Sequence, residues 1–220
     1  MTASEPIGIL GGTFDPVHFG HLRLAEEAAD GLGLSRVLLI PAALPNLRAR
    51  PGTEAQHRLT MVRLAVQGNP RLAVDDRELK REGMSYTVDT LVELRSELGA
   101  TSPFFLILGA DAFLRLPAWS RWLELFELTH IAVATRPGYD LDGALGTSGE
   151  LKGQWEARRV PEPVACAGLP SGRIVRLPIP LLQISATDLR ARMSRAKSVR
   201  YLLPPAVVDY IAAQRLYVTE

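Results

Sequence analysis

Two histidines three residues apart, set behind a pair of glycines, are the side chains of this sequence best suited to chemistry. The stretch Gly11-Gly12-Thr13-Phe14-Asp15-Pro16-Val17-His18-Phe19-Gly20-His21 leaves a short apolar run and enters a segment of helical period. Glycines let backbone N–H groups approach a ligand closely, and a helix amino end adds unpaired donors and positive potential. The turn therefore suits a polyphosphate, with backbone donors from Gly12, Thr13 and Phe14. Three positions apart at a helix start, the rings of His18 and His21 point into one volume. A zinc site would need further ligands, and the single cysteine, Cys166, is distant and in a Pro/Gly-rich stretch. The spacing is neither the Gly-x-Gly-x-x-Gly of a dinucleotide fingerprint nor a P-loop ending in Lys-Ser/Thr.

A second anion-binding element is Ser185-Ala186-Thr187-Asp188-Leu189-Arg190. Ser185 is expected to cap a helix with Asp188 at the third position, so that hydroxyls, free N–H groups and the Arg190 guanidinium face one anion. The nearby Arg192, Arg195, Lys197 and Arg200 read as solvated charges. Trp119 follows Pro117 soon after the apolar run 104–108, near the carboxyl ends of strands, where open α/β sheets bind ligands. Without that context Trp119 and Trp122 read as core residues, and Asp111 as a surface acid.

These residues need a frame to hold them. Short aliphatic runs alternate with segments of helical period, the pattern of parallel strands joined through helices. Strands are expected at 7–11, 36–40, 72–74, 104–108, 130–135 and 173–177. Helices are expected at 21–32, from Thr53 with Gln56 in a capping box, at 88–98, at 119–128, after Ser185, and from Pro204-Pro205 onward. The fold class is α/β, a Rossmann-like doubly wound parallel sheet with a helical C-terminal part over 185–220. Residues 1–220 read as a single domain. Residues 137–172, rich in Gly and Pro, read as an irregular insertion over one end of the sheet with at most one weak helix near 151–159.

Composition sets the outer bounds. Hydrophobic residues make up 47% of the 220 positions and charged residues 22%, enough for a packed core. Lys plus Arg number 25 against 24 Asp plus Glu. That balance gives no global field for nucleic acid, so phosphate handling must be local. The longest apolar runs are strand-sized, far below the ~20 residues of a membrane span. No basic segment precedes the first apolar run, so no secretory signal is expected and a cytoplasmic location is.

Gly12-Thr13-Phe14-Asp15-Pro16 followed by His18-Phe19-Gly20-His21 resembles the signature of the nucleotidyltransferases that activate a nucleoside triphosphate with a His-x-Gly-His element. Ser85-Tyr86-Thr87, Leu108-Gly109-Ala110-Asp111, Leu116-Pro117-Ala118-Trp119, Arg136-Pro137-Gly138-Tyr139 and Ile184 to Arg190 resemble the bacterial nicotinate-nucleotide adenylyltransferases in order and spacing. That resemblance implies transfer of AMP from ATP to nicotinate mononucleotide, with magnesium carried by the triphosphate and no dedicated metal site. It implies that His18, His21 and Arg190 are catalytic. Gly12, Thr13, Phe14, Gly109, Asp111, Ser185, Thr187 and Arg190 would bind ATP; Arg48, Tyr86, Thr87, Trp119 and Ser120 would bind the mononucleotide, with the Trp119 indole stacked on the pyridine ring. The family's Pro-Pro-His after the second strand is replaced here by Pro45-Asn46-Leu47, with Arg48 keeping the charge, and the 42–52 loop is expected to be more mobile for it. Rival readings are a pantetheine-phosphate adenylyltransferase, which is shorter and lacks the Pro-x-Trp and terminal Leu-Tyr features, and a catalytically inactive nucleotide-binding sensor.

Overall fold

A computed structural model describes residues 5–44, 51–147, 149–180 and 182–218. Seven parallel strands form one sheet: β1 (Ile7–Gly12), β2 (Arg36–Pro41), β3 (Leu72–Val74), β4 (Phe104–Gly109), β5 (His130–Thr135), β6 (Arg159–Val160) and β7 (Ile174–Pro178), in the spatial order β3-β2-β1-β4-β5-β7-β6. The order reverses between β1 and β4, whose register pairs Ile7 with Phe104 and Ile9 with Leu106. Their carboxyl ends, Gly12 and Gly109, thus flank the crevice where such sheets bind ligands.

Alternation along the strands divides the interior into two cores. Leu10, Val37, Leu39, Phe105, Ile107, Ala132 and Ala134 face one side. There they meet helices α1 (Phe19–Leu32) and α2 (Ala55–Val66) and, from the end of the chain, α9 (Ala186–Met193) and α10 (Pro205–Ala213). Ile7, Ile9, Leu38, Ile40, Leu106, Ile131 and Val133 face the other. That side is covered by α4 (Thr87–Leu98), α5 (Ala110–Leu114), α6 (Leu125–Leu128), α7 (Leu141–Leu145) and α8 (Glu150–Arg158); the four-residue α3 (Arg77–Lys80) leads into α4. A strand interior covered on both faces is apolar without interruption, as Phe104 to Leu108 is. The expected Rossmann-like α/β class therefore holds.

Several local expectations do not. The helix after β2 begins at Ala55 with Glu54 before it, not at Thr53; Thr53 is instead buried, and its carbonyl accepts from the Arg58 side chain at 3.2 Å. No continuous helix spans 119–128, because Arg121 sits in the left-handed region (φ 49°) and divides the segment. Single 3-10 turns, Leu116–Ala118 and Trp122–Glu124, precede α6. Residues 137–172 are more ordered than their composition suggests. They supply α7, α8, a 3-10 turn at Pro163–Cys166 and the edge strand β6, and Leu141, Leu151, Trp155 and Cys166 all join the cores. β6 pairs with β7, while α7 and α8 pack against α5 and the Leu116–Ala118 turn, with the Trp155 ring 6.1 Å from that of Phe113.

Among the described residues, no helix is long and apolar enough to cross a membrane.

Candidate active site

The chain leaves β1 at Gly12 and turns under itself before α1. Phe14 takes a left-handed backbone conformation (φ 49°), which costs a non-glycine residue about 1–2 kcal/mol. Its ring is 2% exposed, and burying a phenylalanine returns about 1.5–3 kcal/mol, enough to hold the turn. A Cβ on Gly12 would lie 3.0 Å from the Phe14 ring, so a larger residue there would have to push the ring aside.

His18 is the residue before α1, and His21 lies on its first turn. Their rings stack with centroids 3.7 Å apart and planes 23° apart, and Phe14 meets His21 edge-on at 5.0 Å. The expected convergence is therefore present as a stacked pair. The backbone N–H of His18 donates to Nδ1 of His21 at 3.3 Å, which leaves Nε2 of His21 to carry the proton of the neutral ring. His18 is 5% exposed, and burial lowers its pKa from 6.5 to about 4. In the unliganded protein it is thus neutral at physiological pH. Among the described residues its Nδ1 has no hydrogen-bond partner, and it lies 2.9 Å from where a Cβ on Gly20 would stand. The α1 amino end is not wholly open: the Phe19 N–H already donates to the Leu202 carbonyl at 3.1 Å.

The turn is gripped by side chains from far along the sequence. Arg190, on α9, donates through Nη1 to the Asp15 carbonyl at 2.6 Å and through Nη2 to Thr187 Oγ1 at 3.3 Å. The Tyr217 hydroxyl donates to the Asp15 carboxylate at 2.6 Å. Burial and the neighbouring Asp15 push the Tyr217 hydroxyl's pKa up, so it stays protonated and remains a donor. Ser185 does precede α9, but its hydroxyl makes no capping bond, and Asp188 pairs with Arg192 at 3.0 Å instead of closing a capping box. Both Ser185 and Thr187 are exposed.

On the β4 side, Gly109 precedes α5, and Asp111 is exposed on the first turn of that helix. Tyr86 precedes α4, Thr87 is its first residue, and Tyr86 and Trp119 pack half-buried against the second core. Trp122 is a core residue, whereas Trp119 is not fully enclosed. The Arg121–Asp89 ion pair ties the Trp119 segment to α4. One expected donor is already used, since the Trp119 N–H bonds to the Leu116 carbonyl at 2.9 Å. The half-buried Ser120 follows it. Arg48 lies outside the described residues, as does Pro45-Asn46-Leu47.

Sequence reasoning did not find Arg58, Asp15 or Tyr217. Arg58 left a trace, because it falls four residues before Val62 on the apolar stripe of α2, where a charge is out of place unless it is paired. The Asp15–Tyr217 contact spans 202 positions and leaves no local pattern.

A parallel sheet whose glycine turn and paired imidazoles open at the β1/β4 switch point has the form of a nucleotidyltransferase, and the family model described as Cytidylyltransferase-like matches residues 9–192. Relatives are closer still. The "Probable nicotinate-nucleotide adenylyltransferase" of Dechloromonas aromatica is 47% identical over 214 residues, covering 97% of this chain and 98% of that one. That of Halorhodospira halophila is 52% identical over 202 residues, covering 91% and 90%. The Plasmodium falciparum nicotinic acid mononucleotide adenylyltransferase complexed with NaAD superposes with a TM-score of 0.70 at 19% identity, over 97% of each chain. At that identity the likeness speaks for the fold alone. The chain belongs to the cytidylyltransferase-like family and, within it, to the nicotinate-nucleotide adenylyltransferases.

Proposed function

We propose that this chain joins ATP to nicotinate mononucleotide, forming nicotinate adenine dinucleotide and pyrophosphate in NAD biosynthesis. The 5′-phosphate oxygen of the mononucleotide attacks the α-phosphorus of ATP in line. A new P–O bond forms as the bond to the β-phosphate oxygen breaks, and pyrophosphate leaves with its electron pair. Such a transfer asks for alignment and charge neutralisation rather than a protein nucleophile.

The observation that carries this reading is the stacked His18–His21 pair at the amino end of α1, directly behind the glycine turn. We assign His21 Nε2–H as a donor to the triphosphate. His18, neutral without ligand, contributes a hydrogen bond, or takes up a proton once phosphate charge is beside it. Backbone donors at Gly12, Thr13 and Phe14, the exposed hydroxyls of Ser185 and Thr187, and Arg190 complete the phosphate side. Gly109 and Asp111 face the ribose. Arg48, Tyr86, Thr87, Trp119 and Ser120 receive the mononucleotide.

Imidazole, guanidinium and amide donors suit phosphate oxygens better than a bare divalent ion, so Mg2+ arrives on the triphosphate, held by phosphates and water. Among the described residues, no group of three or more His, Cys, Asp or Glu is placed to hold a metal. We also read the chain as one cytoplasmic domain. Incubating the protein with ATP, Mg2+ and nicotinate mononucleotide tests the assignment. Stoichiometric dinucleotide and pyrophosphate are expected; pyrophosphate independent of the mononucleotide, or none at all, would refute it.

A further inference from the structure

Arg58 is the largest fully buried side chain of the described residues, with 1% of its surface exposed. A lone guanidinium in an apolar interior is strongly unfavourable, so its partners define what it does. Among the described residues its four hydrogen bonds all go to backbone carbonyls: Nε to Thr53 at 3.2 Å, Nη1 to Thr13 and Ala42 at 2.7 Å each, and Nη2 to Ala43 at 3.1 Å. Thr13 belongs to the glycine turn after β1, and Ala42 and Ala43 follow β2. One planar fork thus fixes the spacing between two strand exits.

The connection continues beyond Arg58. The Ala43 N–H donates to Ser85 Oγ at 3.1 Å, and the Ser85 N–H donates to the Leu44 carbonyl at 3.0 Å. The Ser85 hydroxyl and the Thr90 hydroxyl both bond the buried Glu78 carboxylate, whose pKa burial raises. Ser85 is followed directly by Tyr86 and Thr87. A chain of hydrogen bonds therefore runs from Thr13, on the triphosphate side, through Arg58 and the β2 exit to the segment assigned to the mononucleotide.

We infer that Arg58 is a positioning residue that sets the distance between the two substrates, holding the glycine turn and the Ser85-Tyr86-Thr87 segment in register for in-line attack. This rests on the function proposed above. Arg58 has no room to touch either substrate, so its effect on the reaction is through the backbone it bonds. Lysine at this position keeps the charge but loses the fork, and can satisfy fewer of the four carbonyls at those distances.

The test compares Arg58→Lys with Arg95→Lys. Arg95 also donates to backbone carbonyls, of Leu128 at 2.8 Å and Pro170 at 2.6 Å, but near the amino end of β4, away from the proposed site. Both variants are expected to melt at lower temperature than the wild type. Only Arg58→Lys should lower kcat, by about ten- to a hundredfold, as misplaced reactants do. A third variant, Ser85→Ala, cuts the chain at its other end and should raise KM for nicotinate mononucleotide more than for ATP, with little change in melting. Arg58→Lys that melts early yet keeps kcat within about twofold of wild type would make Arg58 a stability residue only and overturn the inference. If Arg58→Lys does not fold, the KM values of Ser85→Ala decide: a selective rise supports the link and unchanged values overturn it. A wild type that makes no dinucleotide sinks the proposed function and this inference together, whereas an active wild type with an unimpaired Arg58→Lys sinks the inference alone.

Discussion

The His18 backbone N–H and the His21 side chain are joined by a 3.3 Å hydrogen bond while the two imidazoles stack at 3.7 Å, so the orientation of one ring is set by the main chain of the other. With Nδ1 engaged by that bond, Nε2 is the nitrogen we assign to the triphosphate. His21→Gln, whose amide can reach the Nε2 position, should therefore keep more activity than His21→Asn, which mimics Nδ1. His18→Ala and His21→Ala should each lower kcat by about a hundredfold or more with melting temperature little changed, the size of effect seen when a donor to transition-state charge is removed. Steady-state kinetics on folded variants would check this, and equal activity of the Gln and Asn forms would argue against Nε2.

Stability should fall on mild acidification. His18 has a pKa of about 4 in the folded chain, against 6.5 when solvated, so between those values the unfolded chain binds a proton that the folded chain refuses. Stability then rises with pH across that window and is lost as pH falls through it, by about 2 kcal/mol between pH 7.5 and pH 5 from this group alone. Burial lowers the pKa of His130 as well, which acts in the same sense. Urea unfolding at several pH values should show a shallower slope for His18→Gln than for the wild type; identical slopes would show that His18 is not the group responsible.

Gly20 lies between the two histidines and leaves room for one of them. A Cβ there would stand 2.9 Å from His18 Nδ1 and 3.0 Å from its Cε1, so Gly20→Ala must displace the ring. Because alanine suits a helix better than glycine, the helix itself should gain up to about 1 kcal/mol. The expected outcome is a large loss of kcat without a matching loss of stability. Thermal melting alongside kinetics separates the two effects.

Arg190 and Arg192 share a helix but not surroundings. Arg190 reaches the Asp15 carbonyl at 2.6 Å, whereas Arg192 forms an exposed pair with Asp188 at 3.0 Å, the kind of pair that contributes at most about 1 kcal/mol. Arg190→Ala should impair ATP use strongly, and Arg192→Ala hardly at all. Equal effects in ATP-dependent kinetics would point to a diffuse basic face.

Nicotinate mononucleotide should be preferred over the nicotinamide form, by a modest factor. As the first residues of α4, Thr87 and Val88 carry N–H groups with no partner inside the helix, suited to a carboxylate. With the Trp119 N–H engaged by Leu116, fewer donors are left than the sequence promised. One mispaired buried N–H costs roughly 1–3 kcal/mol, so discrimination of about tenfold or somewhat more is expected. Measuring kcat/KM for both mononucleotides with wild type and Trp119→Ala tests this: the stacking variant should lose efficiency with both, and equal wild-type values would remove the donor argument.

Local patterns carried much of this molecule. Unbroken apolar runs such as Phe104 to Leu108 identify buried parallel strands by themselves, because a strand covered on both faces has no polar side to show. The glycine turn and His18-Phe19-Gly20-His21 were legible because backbone approach to an anion and placement at a helix start depend on neighbouring residues only. The helical reading of 119–128 failed at Arg121, whose backbone takes a positive φ that the residue type does not favour and no local pattern announces. The folding of 137–172 was hidden because β6 exists only as a partner to β7. The support beneath the turn was likewise illegible. Arg58 and Arg190 reach the carbonyls of Thr13 and Asp15 from 45 and 175 residues away, and such bonds impose no residue type on the acceptor; Tyr217 reaches the Asp15 carboxylate from 202 residues away, beyond any local pattern. The sequence by itself determined the strands other than β6, the glycine turn and the histidine spacing, each set by forces acting over a few residues. Only the tertiary structure decided how that turn is held and how the two imidazoles face each other, because those depend on groups that meet when the sheet closes.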